Sequence, residues 1–507
     1  MLTLREQRPD ARRLRPLAIG LGALALGAAG GIALAASNPL IPFLLLVALL
    51  PLPWLLTRPQ IDLWLTVAVI TLLPFGTLPA KIGFTPTFLE IALLLLAGVS
   101  LFAQTRAADA AWRGLVRSPL DGWVLLFLGV ISFAFVLGLG RDLGTDILHN
   151  YVKLLLAITL FFTAAQVLRS AGAILALVRV LVATGGVAAG LGLVLWRLPQ
   201  DLATRLLLLL RPIGYPTDQV LRFVEAGPGL GQERAIGTSV DPNSFAGLLV
   251  ALCVLALTQL LSRRPCFPRP LLALILATEG AALVLTQSRS ALAGALAAAG
   301  LVGLLRYRKL MFSLPVLAAL VIGLGLGGSY LARLESGLAL QDQAQLMRIA
   351  EFQNAGTIIA RYPLFGVGFG QAGELDLTTG VSSIYLTIAE RTGLIGLAVF
   401  VATLVAFFLL LAPWLRRRAL PATDTAIVLD SALLGAAAAV VGALVVGVAD
   451  HYYFNIEQPH LAALFWLCIA LALAARRLLI EQSAVSGQSS VVSRQSSAVS
   501  DELLRRG

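Results

Sequence analysis

Charged residues and cysteine are both scarce in this chain of 507 residues. Asp, Glu, Lys and Arg make up 13% of it, and 58% of the residues are hydrophobic, whereas an average soluble domain is about 25% charged and about 45–50% apolar. A soluble globular protein is therefore excluded. The three cysteines lie far apart without metal-ligand spacing, so neither a disulfide framework nor a zinc site is expected. In a membrane protein the net charge of +11 carries less information than the position of each charge, and we expect no nucleic-acid partner.

Long apolar runs are what the sequence does contain. Crossing a hydrocarbon core of about 30 Å takes about 20 residues of α-helix. Runs of this kind predict an all-α, polytopic membrane protein with about fourteen transmembrane helices. They lie near residues 17–36, 38–57, 61–79, 84–103, 119–139, 147–168, 172–196, 240–260, 270–287, 290–305, 310–329, 384–412, 427–449 and 459–478.

The arginines give these helices a direction. Alternate threading from a cytoplasmic N-terminus places nearly all basic clusters on the cytoplasmic side, as the positive-inside rule requires. The clusters contain Arg5 to Arg15, Arg106 to Arg117, Arg263 to Arg269, Arg306 to Lys309, Arg416 to Arg418, and Arg476 with Arg477. The threading predicts a multi-pass protein with both termini in the cytoplasm and with two long segments on the outer face.

The predicted organisation has seven parts. They are a basic cytoplasmic N-terminus (1–16), an N-terminal transmembrane bundle (17–196), an outer-face segment (197–238), helices joined by a turn at Arg289 (239–329), a large outer-face segment (330–382), C-terminal transmembrane helices (383–480) and a disordered cytoplasmic tail (481–507). The tail is predicted to be disordered because its Ser/Val/Gln repeats have no period that could bury a face.

Three arginines fall on the predicted outer face against this bias. Arg289 lies between two apolar runs, Arg234 precedes the helix opened by Asp241-Pro242, and Arg348 lies in the second outer segment. An arginine at a helix end can be an interfacial anchor, and Arg348 with Glu351 could be a solvated i,i+3 pair. Three such arginines together indicate a site that receives an anion.

Five motifs resemble a known family in their order and predicted topology. They are RAIGTSVDPNSFAGLL (Arg234 to Leu249), LTQSRSALAG (Leu285 to Gly294), RYPLFGVGFGQAG (Arg361 to Gly373), SSIYLTIAERTGLIGL (Ser382 to Leu397) and DHYYFN (Asp450 to Asn455). Together they resemble the O-antigen ligase and O-antigen polymerase family over roughly residues 230 to 480. The resemblance implies a bacterial plasma-membrane enzyme that takes a glycan linked through diphosphate to a polyprenyl lipid and transfers it, on the outer face, to a glycan or lipid acceptor.

The resemblance also suggests roles for individual residues. Arg289 and Arg234 would stabilise the leaving diphosphate, since a fork of fixed donors matches phosphate oxygens, and this chemistry requires no metal or other cofactor. Arg348 would assist in binding the substrate. Further candidate substrate-binding residues are Asp241, Asn243, Ser382, Tyr385, Gly366 and Gly368. Asp241 also suits a helix N-cap, and the glycines also suit a turn that re-enters the membrane.

One departure from the family affects the chemistry. Ligases of this family carry a His-Asn pair where this chain has Ser382-Ser383, and that histidine is their candidate general base. A serine hydroxyl is a poor base near neutral pH, so a polymerase-like transferase is the preferred interpretation. His451 is the leading substitute for the base, and other candidates are Glu374, Asp376 and His149.

Two other function classes remain open from the sequence. A small-anion transporter is indicated by ionisable residues in or near apolar runs, which often mark ion pathways; these are Glu90, Lys153, Arg179 and Glu279. The chain shows no inverted repeat of the kind that many transporters have. An inactive relative that acts as a scaffold in a polysaccharide assembly complex is the third class, and it would bind partners of that complex.

Overall fold

A computed structural model describes residues 58–79, 84–105, 114–140, 145–216, 220–224, 231–311, 343–370, 381–417 and 423–506. These residues are mainly α-helical. The helices are α1 (Pro59–Leu72), α2 (Phe88–Thr105), α3 (Asp121–Leu137), α4 (Thr145–Val167), α5 (Ala171–Arg197), α6 (Gln200–Leu208), α7 (Pro242–Leu261), α8 (Arg269–Leu285), α9 (Arg289–Leu305), α10 (Gln343–Arg361), α11 (Ile384–Leu415), α12 (Asp424–Val446) and α13 (His460–Arg506). Two short antiparallel strands, β1 (Arg222–Phe223) and β2 (Glu233–Arg234), pair Arg222 with Arg234.

The helices begin where local chemistry favours them. Asp241 caps α7, where its side chain accepts the backbone N–H of Ser244 at 2.7 Å and Pro242 follows at the first helical position. Ser170 and Thr423 cap α5 and α12 in the same way. These caps satisfy backbone donors that would otherwise be unpaired at the start of a helix. The N-cap role predicted for Asp241 is therefore confirmed.

Six described helices are long and apolar enough to cross a membrane, namely α4, α5, α7, α11, α12 and α13. Shorter apolar helical stretches of 10–17 residues lie in α1, in α2 over Phe88–Gln104, in α3 and in α9. The chain is thus a helical membrane protein, but the prediction of fourteen spans is not confirmed. Eleven of the predicted runs coincide with described helices, and the runs 17–36, 38–57 and all but the first residues of 310–329 lie outside the described residues.

The core of the bundle is formed by α7, α12 and α13. In α7 and in α13, 83% of the helix's own most apolar stretch is buried, whereas in α11 the buried share is 33%. Helix α11 therefore lies at the periphery. Helices α9 and α12 approach closely at Gly294 and Gly442, where a Cβ on Gly294 would lie 2.7 Å from the Gly442 carbonyl oxygen. Small residues at a contact allow such close packing of membrane helices.

Hydrogen bonds between segments that are distant in sequence show which loops lie at the same end of the bundle. At one end, Arg306 bonds to Asp430 and to the Trp414 carbonyl, and Arg264 bonds to Asp424. We call this the Arg306 end.

At the other end, which we call the Asp450 end, Ser290 donates to Asp450, and the Thr77 amide donates to the Ile213 carbonyl. Lys153 donates to the Glu457 carbonyl at the same end. Each of these bonds joins two segments that the threading had placed on one side. The structure therefore has the two-sided arrangement that the alternate threading requires.

The C-terminal tail differs from the sequence-based expectation. The tail predicted to be disordered, residues 481–507, continues α13 as far as Arg506. Nothing in it interrupts a helix strongly, because it contains no proline and its interior contains a single glycine, Gly487. Serine and valine are only moderate helix formers, so the absence of a hydrophobic period does not by itself end a helix.

The assignment of the two ends to the two sides of the membrane can be tested by thiol labelling. The native cysteines are all buried, so they should give little background. Cysteines introduced at Gln232 and Gln353, both exposed at the Asp450 end, should react with an impermeant thiol reagent applied to cells whose outer membrane has been made permeable. Cysteines at Arg308 and Arg416, both exposed at the Arg306 end, should react only after lysis. The reverse pattern would invert the threading.

Candidate functional site

Five separate segments meet at the Asp450 end. They are the start of α7, the turn between α8 and α9, the middle of α10, the start of α11 and the loop between α12 and α13. Four of the five motifs of the sequence analysis lie on these segments.

Arg234, at the end of β2, is held from two sides. Its Nε donates to the Thr286 carbonyl oxygen at 2.8 Å, and its Nη2 donates to Asn243 Oδ1 at 2.6 Å. Burial raises the pKa of the Tyr452 hydroxyl, and the nearby side chains of Asp241 and Asn243 also act on it. The structure therefore brings Arg234, Asp241 and Asn243 together as the sequence predicted, and it adds Tyr452, whose contact with them the sequence did not indicate.

Arg289 opens helix α9 after a strained turn. Gln287 adopts a left-handed conformation with φ of 58°, which is uncommon for a residue with a Cβ. Ser288 is the N-cap residue, and Arg289 is the first helical residue and is half-buried. The adjacent Ser290 hydroxyl donates a short hydrogen bond to Asp450 Oδ2. Arg289 is thus the sequence neighbour of a residue that contacts Asp450, and it lies at the end of the bundle. Its guanidinium therefore does not have to cross the apolar core.

Asp450 links three segments. It accepts the Ser290 hydrogen bond from α9, and its Oδ1 lies 3.8 Å from Arg348 Nη2 on α10. Its side chain is only 5% exposed, and that of Arg348 is 31% exposed. Burial raises the pKa of the Asp450 carboxyl to about 6, although Arg348 and Ser290 act in the opposite direction. Asp450 can therefore exchange a proton near neutral pH.

His451 lies beside this carboxylate. Its ring stacks on Tyr452, with ring centroids 5.0 Å apart and an interplanar angle of 18°. Within the part of the chain that the structure describes, its buried Nδ1 atom makes no hydrogen bond. Burial lowers the pKa of the imidazole below its usual value, although Glu351 and Asp241 act to raise it. The ring is neutral at pH 7 and can accept a proton.

Glu351 bonds to the backbone of Ser382, the residue at the position where ligases of the family have a histidine. Its Oε2 accepts the backbone N–H of Ser382 at 3.1 Å, while Arg348 on the same helix turns to Asp450. The interpretation of Arg348 and Glu351 as a solvated i,i+3 pair is therefore wrong, because each side chain contacts a different segment. Together they attach α10 to the rest of the site.

Two side chains at the start of α11, those of the candidate Tyr385 and of Ser383, bond to α12. Tyr385 donates its hydroxyl to the Leu444 carbonyl at 2.9 Å, and Ser383 donates to the Gly447 carbonyl at 3.3 Å. Both contacts join α11 to α12. Ser382 takes part through its backbone amide, and no described contact of its side chain indicates a catalytic role.

The glycines of the GVGFG motif have a packing role. Gly366 and Gly368 have φ of 69° and 78°, and a Cβ on Gly366 would lie 2.5 Å from the Arg391 carbonyl carbon. The Arg391 guanidinium donates to the Gly370 carbonyl at 3.0 Å. The loop is thus held against α11 by a buried arginine that the sequence analysis did not single out, although an arginine within an apolar run was a signal for it.

Helix α11 bends where this loop touches it. Gly393 has φ of 72° and ψ of −177°, a region of backbone conformation that is essentially restricted to glycine. A Cβ at this position would lie 2.1 Å from the Leu364 carbonyl oxygen. The kink therefore depends on glycine for both conformation and space.

Three of the four residues that suggested an ion pathway are held by local contacts. Glu90 bonds to His149 at 2.6 Å, and Lys153 donates to the Glu457 carbonyl at 3.0 Å. Arg179 donates to the Cys266 carbonyl near the Arg306 end. Glu279 is buried in the middle of α8, close to Gly185, where an added Cβ would lie 2.5 Å from its Oε1 atom. Neither carboxyl oxygen of Glu279 has a hydrogen-bond partner among the described residues.

The remaining candidate bases are placed as follows. His149 bonds to Glu90, and its ring packs at a tilt of 45° against Phe84, so it is occupied outside the cluster around Asp450. Glu374 and Asp376 lie outside the described residues. In the described part of the chain, no three His, Cys, Asp or Glu side chains are grouped as metal ligands.

The Gly393 kink yields a stability prediction. Gly393→Ala should strongly reduce the yield and thermal stability of the purified protein, since the strained backbone alone costs about 1–3 kcal/mol and the clash with Leu364 adds to this. Gly129→Ala is the matched control in α3, because its added Cβ meets nothing within 4 Å. Thermal unfolding in detergent measures both. Equal stability of the two variants would contradict the kink.

Comparison with known proteins places part of this site in a family. Residues 271–401 match the family model described as O-Antigen ligase, and no curated protein matches the chain. The match covers nearly all of α8, then α9, α10, the glycine loop and the first part of α11, and it therefore includes Arg289, Arg348 and Ser382. The resemblance seen in the sequence is confirmed over this stretch, which is similar to the O-antigen ligase family.

Proposed function

We propose that the chain is a glycan transferase that moves an oligosaccharide from a polyprenyl diphosphate to a glycan or lipid acceptor on the outer face of the bacterial plasma membrane. The observation that carries this proposal is the convergence of Arg234, Arg289 and Arg348 at the Asp450 end. They come from three different segments of a bundle whose other basic clusters lie mainly at the opposite end. The family match supports the same reaction class.

The arginines suit a leaving diphosphate. Negative charge grows on the diphosphate as the bond between sugar C1 and its oxygen breaks, and fixed guanidinium donors stabilise that charge without changing their protonation. Arg234 is already oriented by Thr286 and Asn243. A preoriented donor loses less conformational entropy when the substrate binds.

The transfer step also needs a base for the acceptor hydroxyl. The hydroxyl oxygen forms the new bond to C1, its proton passes to the base, and the lipid diphosphate leaves with the bonding electrons. We propose Asp450 as this base, because it contacts Arg348 and the residue next to Arg289, and its pKa of about 6 suits proton transfer near neutrality. His451, the base proposed from the sequence, is the alternative.

The polymerase-like reaction is favoured over ligation to a lipid core. The segment that holds the ligase histidine in the family has Ser382 here, and its amide is bound by Glu351. A base supplied by the loop between α12 and α13 would approach the sugar from a different segment. This arrangement is compatible with another glycan chain as the acceptor.

Arg289→Lys separates charge from geometry. Lysine keeps the charge but loses the planar fork, so transfer should fall by about 10–100-fold or more if two parallel hydrogen bonds to phosphate are lost. An interfacial anchor would tolerate the change. The measurement is the lipid-linked glycan that accumulates in a complemented deletion strain, where single repeat units indicate a polymerase defect and lipid-linked polymer indicates a ligase defect.

Arg308→Lys is the control for this experiment, since Arg308 is exposed at the Arg306 end. Arg306 itself is unsuitable, because its guanidinium is buried and bonds to both oxygens of Asp430 and to the Trp414 carbonyl. Full transfer by a well-expressed Arg289→Lys protein would exclude the phosphate fork.

The pH dependence of transfer identifies the base. A base acts in its deprotonated form, so kcat/KM should rise with pH through about 6 if Asp450 is the base and should level off above that value. Asp450→Asn should remove this rise and lower the rate by about 10²–10⁴-fold. His451→Gln should keep the acidic limb of the profile. Loss of that limb in His451→Gln, with Asp450→Asn still active, would assign the base to His451.

A further inference from the structure

A cavity lies at the Arg306 end, away from the site described above. Its volume is about 240 Å³, and it is lined by the residues before α3, by the last turns of α4 and by residues 470–481 of α13. Its wall is apolar and includes Phe161, Ala470, Leu473 and Ala474. The proposed transfer reaction makes no use of it.

Three arginines surround the mouth of this cavity. They are Arg117, Arg476 and Arg477, and they are accompanied by one acidic residue, Glu481. Arg476 Nε donates to the Leu410 carbonyl at 2.8 Å, and Arg477 Nη2 donates to the Leu168 carbonyl at 2.7 Å. Each bond uses one of the five N–H donors of a guanidinium. Arg477 Nε also lies 3.8 Å from Glu481 Oε1, so both guanidinium groups are fixed in place.

The cavity lies among helices that face lipid. On α3, next to the cavity, Trp123 and Leu126 are 40% and 49% exposed, as expected for side chains in contact with hydrocarbon. An apolar cavity of this kind, with a cationic mouth near the level of the headgroups, matches a molecule with an acyl chain and an anionic head. A phosphate diester offers oxygen acceptors to the arginines.

We propose that this cavity binds one anionic phospholipid, whose phosphate contacts Arg117, Arg476 and Arg477 and whose acyl chain enters the space beside Ala474. The lipid joins the start of α3 to α4 and α13. A zwitterionic phospholipid fits less well, because its positive group would meet three arginines and one carboxylate. The proposal does not depend on the reaction at the Asp450 end.

The test uses the full chain, purified in detergent with its bound lipid removed. The probes are phosphatidylglycerol, phosphatidylcholine and inorganic phosphate, and binding is read by native mass spectrometry and by the shift of the thermal unfolding midpoint. Phosphatidylglycerol should give a one-to-one complex and raise the midpoint, since a ligand that binds the folded state stabilises it. Phosphatidylcholine and inorganic phosphate should do neither.

Two variants separate the charged mouth from the apolar space. Arg117→Gln combined with Arg476→Gln should weaken phosphatidylglycerol binding by about thirtyfold, from the typical contribution of two basic residues near a membrane surface. Ala474→Leu keeps the arginines but fills part of the cavity, and it should also reduce the bound fraction. The control is Arg308→Gln combined with Arg416→Gln, which removes the same charge from exposed positions at the same end and should leave binding unchanged.

Several outcomes would overturn the proposal. One is equal binding of phosphatidylglycerol and phosphatidylcholine, and another is an equal loss in the control variant, which would indicate a general surface charge effect. Full binding by the Arg117 and Arg476 double variant would also overturn it. If Ala474→Leu fails to fold, the arginine variant and its control still decide the matter.

Discussion

The buried carboxylate of Asp450 must be satisfied by other segments, and much of the Asp450 end is arranged around that need. A carboxylate removed from water is costly unless donors surround it. Ser290 at the start of α9 and Arg348 on α10 supply those contacts. These contacts to Asp450 bring the turn before Arg289 next to the loop between α12 and α13. They also attach α10 to that loop.

The contacts around Arg234 extend this arrangement to the outer hairpin and α7. Arg234 bonds to the carbonyl of Thr286, which lies in the same turn that presents Arg289. Arg234 bonds to Asn243. Asn243 in turn lies near Tyr452, in the same loop as Asp450. The family match ends before Asp450 and begins after Arg234, so the matched stretch supplies only part of the cluster, and flanking segments supply the rest.

The sequence predicted the helices better than their contacts. Apolar length and arginine position are local properties set by the bilayer, and they located eleven described helices and sorted their loops. The grouping of Arg234, Asp241 and Asn243 was also predictable, because the threading predicts that they lie on one side of the membrane. The roles of Glu351, Arg391 and Arg306 were not, because each depends on a carbonyl, an amide or a carboxylate from a segment distant in sequence. The kink at Gly393 likewise arises from a tertiary contact within a run that is helical on both sides.

Helix α10 determines how deep in the bilayer a substrate would meet the arginines. Met347 is 62% exposed and Phe352 is 38% exposed on this helix, and Leu364 just beyond it is 61% exposed. A helix with this pattern rests with its apolar side chains at the boundary between headgroups and hydrocarbon. Because Arg348 lies on the same helix, the proposed diphosphate site would lie at headgroup depth rather than out in the aqueous phase. A diphosphate attached to a long hydrocarbon tail could then reach it by lateral diffusion, with the tail still dissolved in the membrane.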